Sequence, residues 1–163
     1  MASNTAEPAA TAATTTVTMA ELPRGAAVCA TLPDLLYLPE LVFGGLVWIL
    51  VACTLVLPEN PLGWLMFVSV FCFVATFLWS VLFLCGCHSN KSRWAAADFA
   101  YHLTAAVFYL SASVTLAKVT LDIRQGGNFQ NYQLDVSAVV FSYVATLLYF
   151  AHTILSAMRW KTF

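Results

Sequence analysis

Apolar residues along this chain gather into four long runs, separated by short polar or proline-containing breaks. The first run covers residues 41–57, the second 62–85, the third 95–117 and the fourth 136–158. The runs are continuous rather than alternating, and each reaches the ~17–25 residues that a helix needs to cross the ~30 Å hydrocarbon core. A helix satisfies its own backbone hydrogen bonds in lipid, which an isolated strand cannot do. The pattern therefore predicts an all-α protein, a four-helix transmembrane bundle with short loops. Pro58-Glu59-Asn60-Pro61 ends the first run sharply, because proline cannot continue a helix and restricts the residue before it. Glu40 and Glu59 bracket that run. His88 to Arg93 forms the next break, and a polar loop is expected from Lys118 to Asp135, turning at Gly126-Gly127-Asn128.

Ahead of the runs, residues 1–30 are dominated by Ala, Thr, Pro and Ser, with too little large apolar surface to offset the entropy of ordering. They are expected to form a disordered tail, leaving residues 31–163 as the transmembrane domain. The tail lacks the basic start and apolar core of a cleavable signal peptide, so the first span is expected to direct insertion. Composition agrees: 61% of residues are hydrophobic and only 9% charged, against about 25% charged in soluble domains.

Charge placement predicts orientation. Arg24, Lys91, Arg93, Arg159 and Lys161 fall on one side of the spans, and only Lys118 and Arg124 on the other. The positive-inside rule then puts both termini in the cytoplasm, which leaves the triplet Asn90-Lys91-Ser92 unglycosylated. Cys29, Cys85 and Cys87 sit beside spans on that reducing side, so disulfides are not expected there. They are candidate lipidation sites, by S-palmitoylation, or plain thiols. Cys53 and Cys72 read as apolar filler. Trp64, Trp94, Tyr132 and Trp160 lie near span ends, where aromatic rings anchor at headgroups.

The polar residues within the runs offer little conventional chemistry. Asp98 and His102 are four apart and share a helix face. They read as an interfacial hydrogen-bonded pair or, alternatively, as the polar site of a small channel or transporter. His152 stands alone on the fourth span and reads as a packing or interhelical hydrogen-bond residue. No catalytic signature, no metal-ligand spacing and no nucleotide-binding loop is visible, so no cofactor and no metal are expected. The basic residues are too few and dispersed for nucleic acid. Small residues at Ala96, Ala100 and Thr104, at Ser113 and Ala117, and at Gly44 and Gly45 suggest close helix packing, within the bundle or between copies.

Several ordered blocks carry a resemblance. They are TLPDLL, ELVFGGLVWILVA (Glu40 to Ala52), GWLMFVSVFCFVAT (Gly63 to Thr76), YHLTAAVFYLSAS (Tyr101 to Ser113), AVVFSYVATLLY (Ala138 to Tyr149) and the terminal RWK (Arg159 to Lys161). From about Thr31 to the C-terminus they resemble the myelin and lymphocyte protein family, the MARVEL-domain tetraspan proteolipids. The resemblance implies a non-enzymatic protein that organises cholesterol- and sphingolipid-rich membrane and sorts vesicle cargo, in apical transport or in myelin or lymphocyte membranes. It implies membrane lipids and membrane cargo proteins as partners, with homo-oligomerisation possible, at the plasma membrane and on Golgi or endosomal vesicles. The family's C-terminal RWKS, linked to sorting, corresponds here to Arg159, Trp160, Lys161 and Thr162, with Thr in place of Ser.

Overall fold

The computed structural model describes residues 22–56, 59–88, 92–124 and 129–163. Four helices dominate it: α1 (Tyr37–Cys53), α2 (Glu59–Leu84), α3 (Ser92–Ile123) and α4 (Phe129–Lys161). All four stretches are long and apolar enough to span a bilayer, the first counted from Asp34. Two 3-10 turns, Gly25–Cys29 and Asp34–Leu36, lead into α1. Each helix packs beside the next, and α1 closes the ring against α4.

Local chemistry accounts for the helix ends. Pro39 lies in the first turn of α1, where its missing N–H is not needed. Asn60 is extended (φ −108°, ψ 123°), as expected before Pro61, so the regular part of α2 starts at the proline. Gly86 closes α2 at φ +64°. Its N–H donates to the Phe83 carbonyl at 3.1 Å, and the Cys87 N–H donates to the Leu82 carbonyl at 3.1 Å. That pairing caps the last carbonyls of the helix. The same hydrogen-bond pattern closes α1, but there Leu55 and Val56 occupy the left-handed region at φ 58° and 52°.

Three boundaries differ from the sequence expectation. Residues 1–21 of the expected tail lie outside the described residues, but residues 22–30 are packed: Leu22 and Val28 are buried in a cluster with Tyr37, Phe83 and Ala95. The expected loop from Lys118 to Asp135 is mostly helix, because α3 runs on to Ile123 and α4 starts at Phe129. Leu116, Val119, Thr120 and Ile123 keep the helical apolar spacing beyond Lys118, so the stripe facing α4 continues through the polar residues. The Gly126-Gly127-Asn128 turn itself lies outside the described residues, as do Asn90 and Lys91 of the glycosylation triplet. At 32 and 33 residues, α3 and α4 are ~48 Å and ~50 Å long and project past the bilayer core. Finally, Glu40 does not mark a membrane boundary but points into the bundle, fully buried in the first turn of α1.

Candidate functional site

One stripe of each helix turns inward, and the ionisable residues deep in the spans lie on those stripes. On α1 the stripe is Tyr37, Glu40, Gly44, Val47 and Val51; on α3 it includes Asp98, His102, Ala105 and Tyr109; on α4 it is Tyr149, His152, Ser156 and Arg159. Steps of three and four residues put each set on one helix face. The outward positions are apolar, among them Phe67, Leu78, Val107, Val114, Leu147 and Phe150.

The inward polar groups form layers. Nearest the end that carries the described chain termini, Arg159 forks onto Asp34: Nη1 donates to Oδ2 at 2.6 Å and Nη2 to Oδ1 at 3.1 Å. Nη2 also donates to Asp98 Oδ2 at 3.0 Å. Asp98 accepts further bonds from Tyr37 (2.9 Å), Trp79 (2.8 Å) and Ser156 (2.6 Å). Its carboxylate is thereby tied to α1 through Tyr37, to α2 through Trp79 and to α4 through Ser156 and Arg159. Such a cage is what keeps a charge tolerable away from water.

One turn deeper, Glu40 faces two histidines. Its Oε1 lies 2.9 Å from His152 Nδ1, and its Oε2 lies 3.6 Å from His102 Nε2. The imidazoles stack with centroids 3.5 Å apart. His102 Nδ1 sits 2.8 Å from the Asp98 carbonyl oxygen and 3.2 Å from Asp98 Oδ1. Beyond this layer, the Thr76 hydroxyl meets Tyr101 at 2.6 Å and Tyr149 at 2.7 Å. Tyr109 stacks on Tyr149 and reaches Gly44, where an added Cβ would lie 3.0 Å from the phenol oxygen. Around these layers Val47, Val51, Leu62, Leu65 and Leu116 are fully enclosed.

The sequence-predicted site residues scatter differently. Asp98 and His102 do meet, but within a network that also contains Asp34, Tyr37, Glu40, Trp79, His152, Ser156 and Arg159. Sequence reasoning missed that assembly, although the shared helical stripes of α1, α3 and α4 were its signal. The sequence shows no metal-ligand spacing, yet in the fold one donor atom from each of Glu40, His102 and His152 lies within 4.8 Å of the other two. These residues come from three helices, so no local spacing reveals them. Arg159, Trp160, Lys161 and Thr162 do not form one exposed motif. Arg159 is 2% exposed and belongs to the interior network, whereas Trp160, Lys161 and Thr162 are exposed. Cys29, Cys85 and Cys87 are all exposed. They lie at one end of the bundle, where Arg24 donates to the His88 carbonyl at 3.3 Å. Of the small-residue steps, Gly44, Gly45 and Ser113 face inward, but Ala100 and Thr104 face outward and do not pack the bundle.

The fold and its internalised polar groups define a class, the four-span integral membrane proteins whose helices hide their charges from lipid. Comparison gives the family. Residues 28–155 match the MARVEL family model, described as a membrane-associating domain. The chain is 50% identical to the human myelin and lymphocyte protein (Homo sapiens) over 141 residues, 86% of this chain and 92% of that protein. It is 51% identical to the dog protein of the same name (Canis lupus familiaris), with the same coverage. It is 29% identical to human CKLF-like MARVEL transmembrane domain-containing protein 8 over 134 residues, 81% of this chain and 76% of that protein. No solved structure matches. The chain belongs to the MARVEL family, and within it is similar to the myelin and lymphocyte proteins.

Proposed function

We propose that this chain is a non-enzymatic organiser of cholesterol- and sphingolipid-rich membrane domains that sorts vesicle cargo, with both termini cytoplasmic. The observation that carries the reading is the division of the bundle into a polar interior and an apolar exterior. Glu40, Asp98, His102 and His152, the ionisable groups deep in the spans among the described residues, are turned inward and buried, so the surface left for recognition faces lipid. On α2 that surface includes a shallow groove of about 390 Å³ lined by Phe67, Val70, Phe71, Val74, Ala75 and Leu78, with no polar lining. Unequal helices add a second preference. The 17 residues of α1 against 32 and 33 in α3 and α4 create a mismatch worth fractions of a kcal/mol per Å, which favours bilayers of matching thickness. Homo-oligomerisation would multiply such weak terms.

Two surface features extend the reading. Cys29, Cys85 and Cys87 are positioned to carry saturated acyl chains at one membrane face, each strengthening attachment to ordered lipid. Trp160, Lys161 and Thr162 are the exposed part of the C-terminal segment that sorting machinery would meet, while Arg159 holds the helix in place. The channel reading of Asp98 and His102 gains nothing from the geometry, since Asp98 is bonded by four side chains and is buried.

The test is partitioning of the tagged protein between ordered and disordered phases of cell-derived membrane vesicles, alongside a variant with Cys29, Cys85 and Cys87 changed to Ser. Enrichment in the ordered phase that survives in the variant assigns the preference to the helices. Enrichment lost in the variant assigns it to acylation. Exclusion of the wild type from the ordered phase refutes the proposal.

A further inference from the structure

The three carboxylates of the interior network, Asp34, Glu40 and Asp98, are all fully buried, yet the one guanidinium bonded to them among the described residues is Arg159. Arg159 serves Asp34 and Asp98 and leaves Glu40 with only the two histidines. Three negative groups against one positive group is an excess of two negative charges in a region shielded from water. Burying such an excess is costly unless a cation joins it.

The hydrogen bonds show where that cation would sit. The neighbours of His102 Nδ1 are the Asp98 carbonyl oxygen at 2.8 Å and Asp98 Oδ1 at 3.2 Å, and both are acceptors. Nδ1 therefore carries the hydrogen and donates it. In a neutral imidazole the opposite nitrogen, Nε2, is then a lone pair. It faces Glu40 Oε2, another acceptor, at 3.6 Å, and neither atom has a hydrogen-bond partner. His152 repeats the arrangement. Its Nδ1 donates to Glu40 Oε1 at 2.9 Å, and its Nε2 is buried and unpartnered. Three orphaned acceptors therefore occur in one sealed cluster, on residues that are each 0% exposed. A histidine that gives one ring N–H to a carboxylate or carbonyl and keeps the other nitrogen for a metal is the usual arrangement around protein-bound zinc.

We propose that Glu40, His102 and His152 bind a divalent transition-metal ion of the zinc class, which cross-links α1, α3 and α4 inside the bundle. The donor set, two imidazoles and a carboxylate, matches the nitrogen and oxygen preference of Zn²⁺. The 3.6 Å gap between His102 Nε2 and Glu40 Oε2 fits two ligands at ~2.0–2.1 Å from one centre at a tetrahedral angle. To bring a lone pair to the ion, His152 must release its Nδ1–H bond to Glu40 and reorient its ring, and the stacked imidazoles must separate. The +2 charge cancels the excess of the network while both imidazoles remain neutral. His102 lies ten residues from the start of α3, and His152 nine from the end of α4. The ion would therefore sit roughly 13–15 Å inside those helix ends. All three ligands are 0% exposed, so the metal enters as the helices assemble rather than by exchange in the folded protein. The role is structural: it staples three helices that would otherwise meet through mutual repulsion of lone pairs. This inference stands on the geometry of the cluster and does not depend on the lipid-sorting reading.

The experiment uses the full chain purified in lipid nanodiscs from zinc-replete cells. Elemental analysis should find about one zinc per chain, and X-ray absorption should show a nitrogen/oxygen shell at ~2.0–2.1 Å. The Glu40→Gln and His152→Gln variants keep the side-chain size and should lose most of the metal. Circular dichroism would establish that each is still helical. Should either variant fail to fold, the wild type decides alone. Expressed in cobalt-supplemented medium, it should display the visible absorption of four-coordinate Co²⁺. A wild type with less than about a tenth of an ion per chain and no cobalt band overturns the proposal, leaving protons to fill the gap between the lone pairs. Full metal retention by both variants overturns it equally.

Discussion

Replacing Arg159 with Gln removes the only guanidinium of the interior network among the described residues. Three short contacts disappear, two to Asp34 at 2.6 and 3.1 Å and one to Asp98 at 3.0 Å. Asp98 keeps its bonds from Tyr37, Trp79 and Ser156, but Asp34 loses its ion-pair partner. Removing one member of a buried ion pair typically costs ~3–5 kcal/mol, mostly through the charge left behind. Against a total stability of ~5–15 kcal/mol, that is a third or more of the margin in many cases. Arg159→Lys keeps the charge, but one ammonium cannot reproduce the fork onto Asp34 while also reaching Asp98. It should cost ~1.5–3 kcal/mol, the value of a charged hydrogen bond. Pairing Arg159→Gln with Asp34→Asn removes both charges of the fork and should recover at least ~1 kcal/mol, measured as a coupling energy. The assay is equilibrium unfolding of the purified proteins in mild detergent, followed by circular dichroism. A loss below about 1 kcal/mol for Arg159→Gln, as for an exposed surface pair, would refute the burial argument. The same series separates folding from sorting: Lys161→Ala should leave the unfolding curve unchanged, because its side chain is exposed.

Three further outcomes follow from the packing. Gly44→Ala should destabilise by ~1–3 kcal/mol, because the new Cβ meets the Tyr109 phenol oxygen at 3.0 Å; adding Tyr109→Phe should restore part of that loss in the same unfolding assay, and no rescue would contradict the proposed clash. Thr76→Val should cost ~1–3 kcal/mol by stripping the hydroxyl that meets Tyr101 and Tyr149; the combination with Tyr149→Phe should cost less than the sum of the two single changes, which a double-mutant cycle reads directly. Leu55→Gly should stabilise by ~1 kcal/mol, since Leu55 holds φ 58° while 76% exposed, and glycine adopts that conformation without a Cβ penalty; a lower melting temperature would show that Leu55 contributes by contact instead.

Much of the architecture was legible in the chain itself. Four apolar runs longer than the bilayer requirement leave helices as the only economical way to satisfy the backbone in lipid. The Pro58-Glu59-Asn60-Pro61 break marked where the first run stops and the second begins, through local backbone chemistry. Composition could not place the ends of α3 and α4, because polar residues near Lys118 and Asp135 resemble a loop unless their contacts with the facing helix are known. The polar interior lay further out of reach. His102 and Asp98 share one helix face, so their meeting is local; Glu40 and His152 are 112 residues apart and meet only when α1 closes against α4. Arg159 illustrates the same limit. A basic residue near a span end reads as a solvated cytoplasmic charge, and only the ring of helices turns it toward Asp34 and Asp98. Hydropathy is a property of each segment and fixes what must lie in lipid; partnership between buried charges depends on how segments are rotated against one another, and that is decided by the assembled bundle.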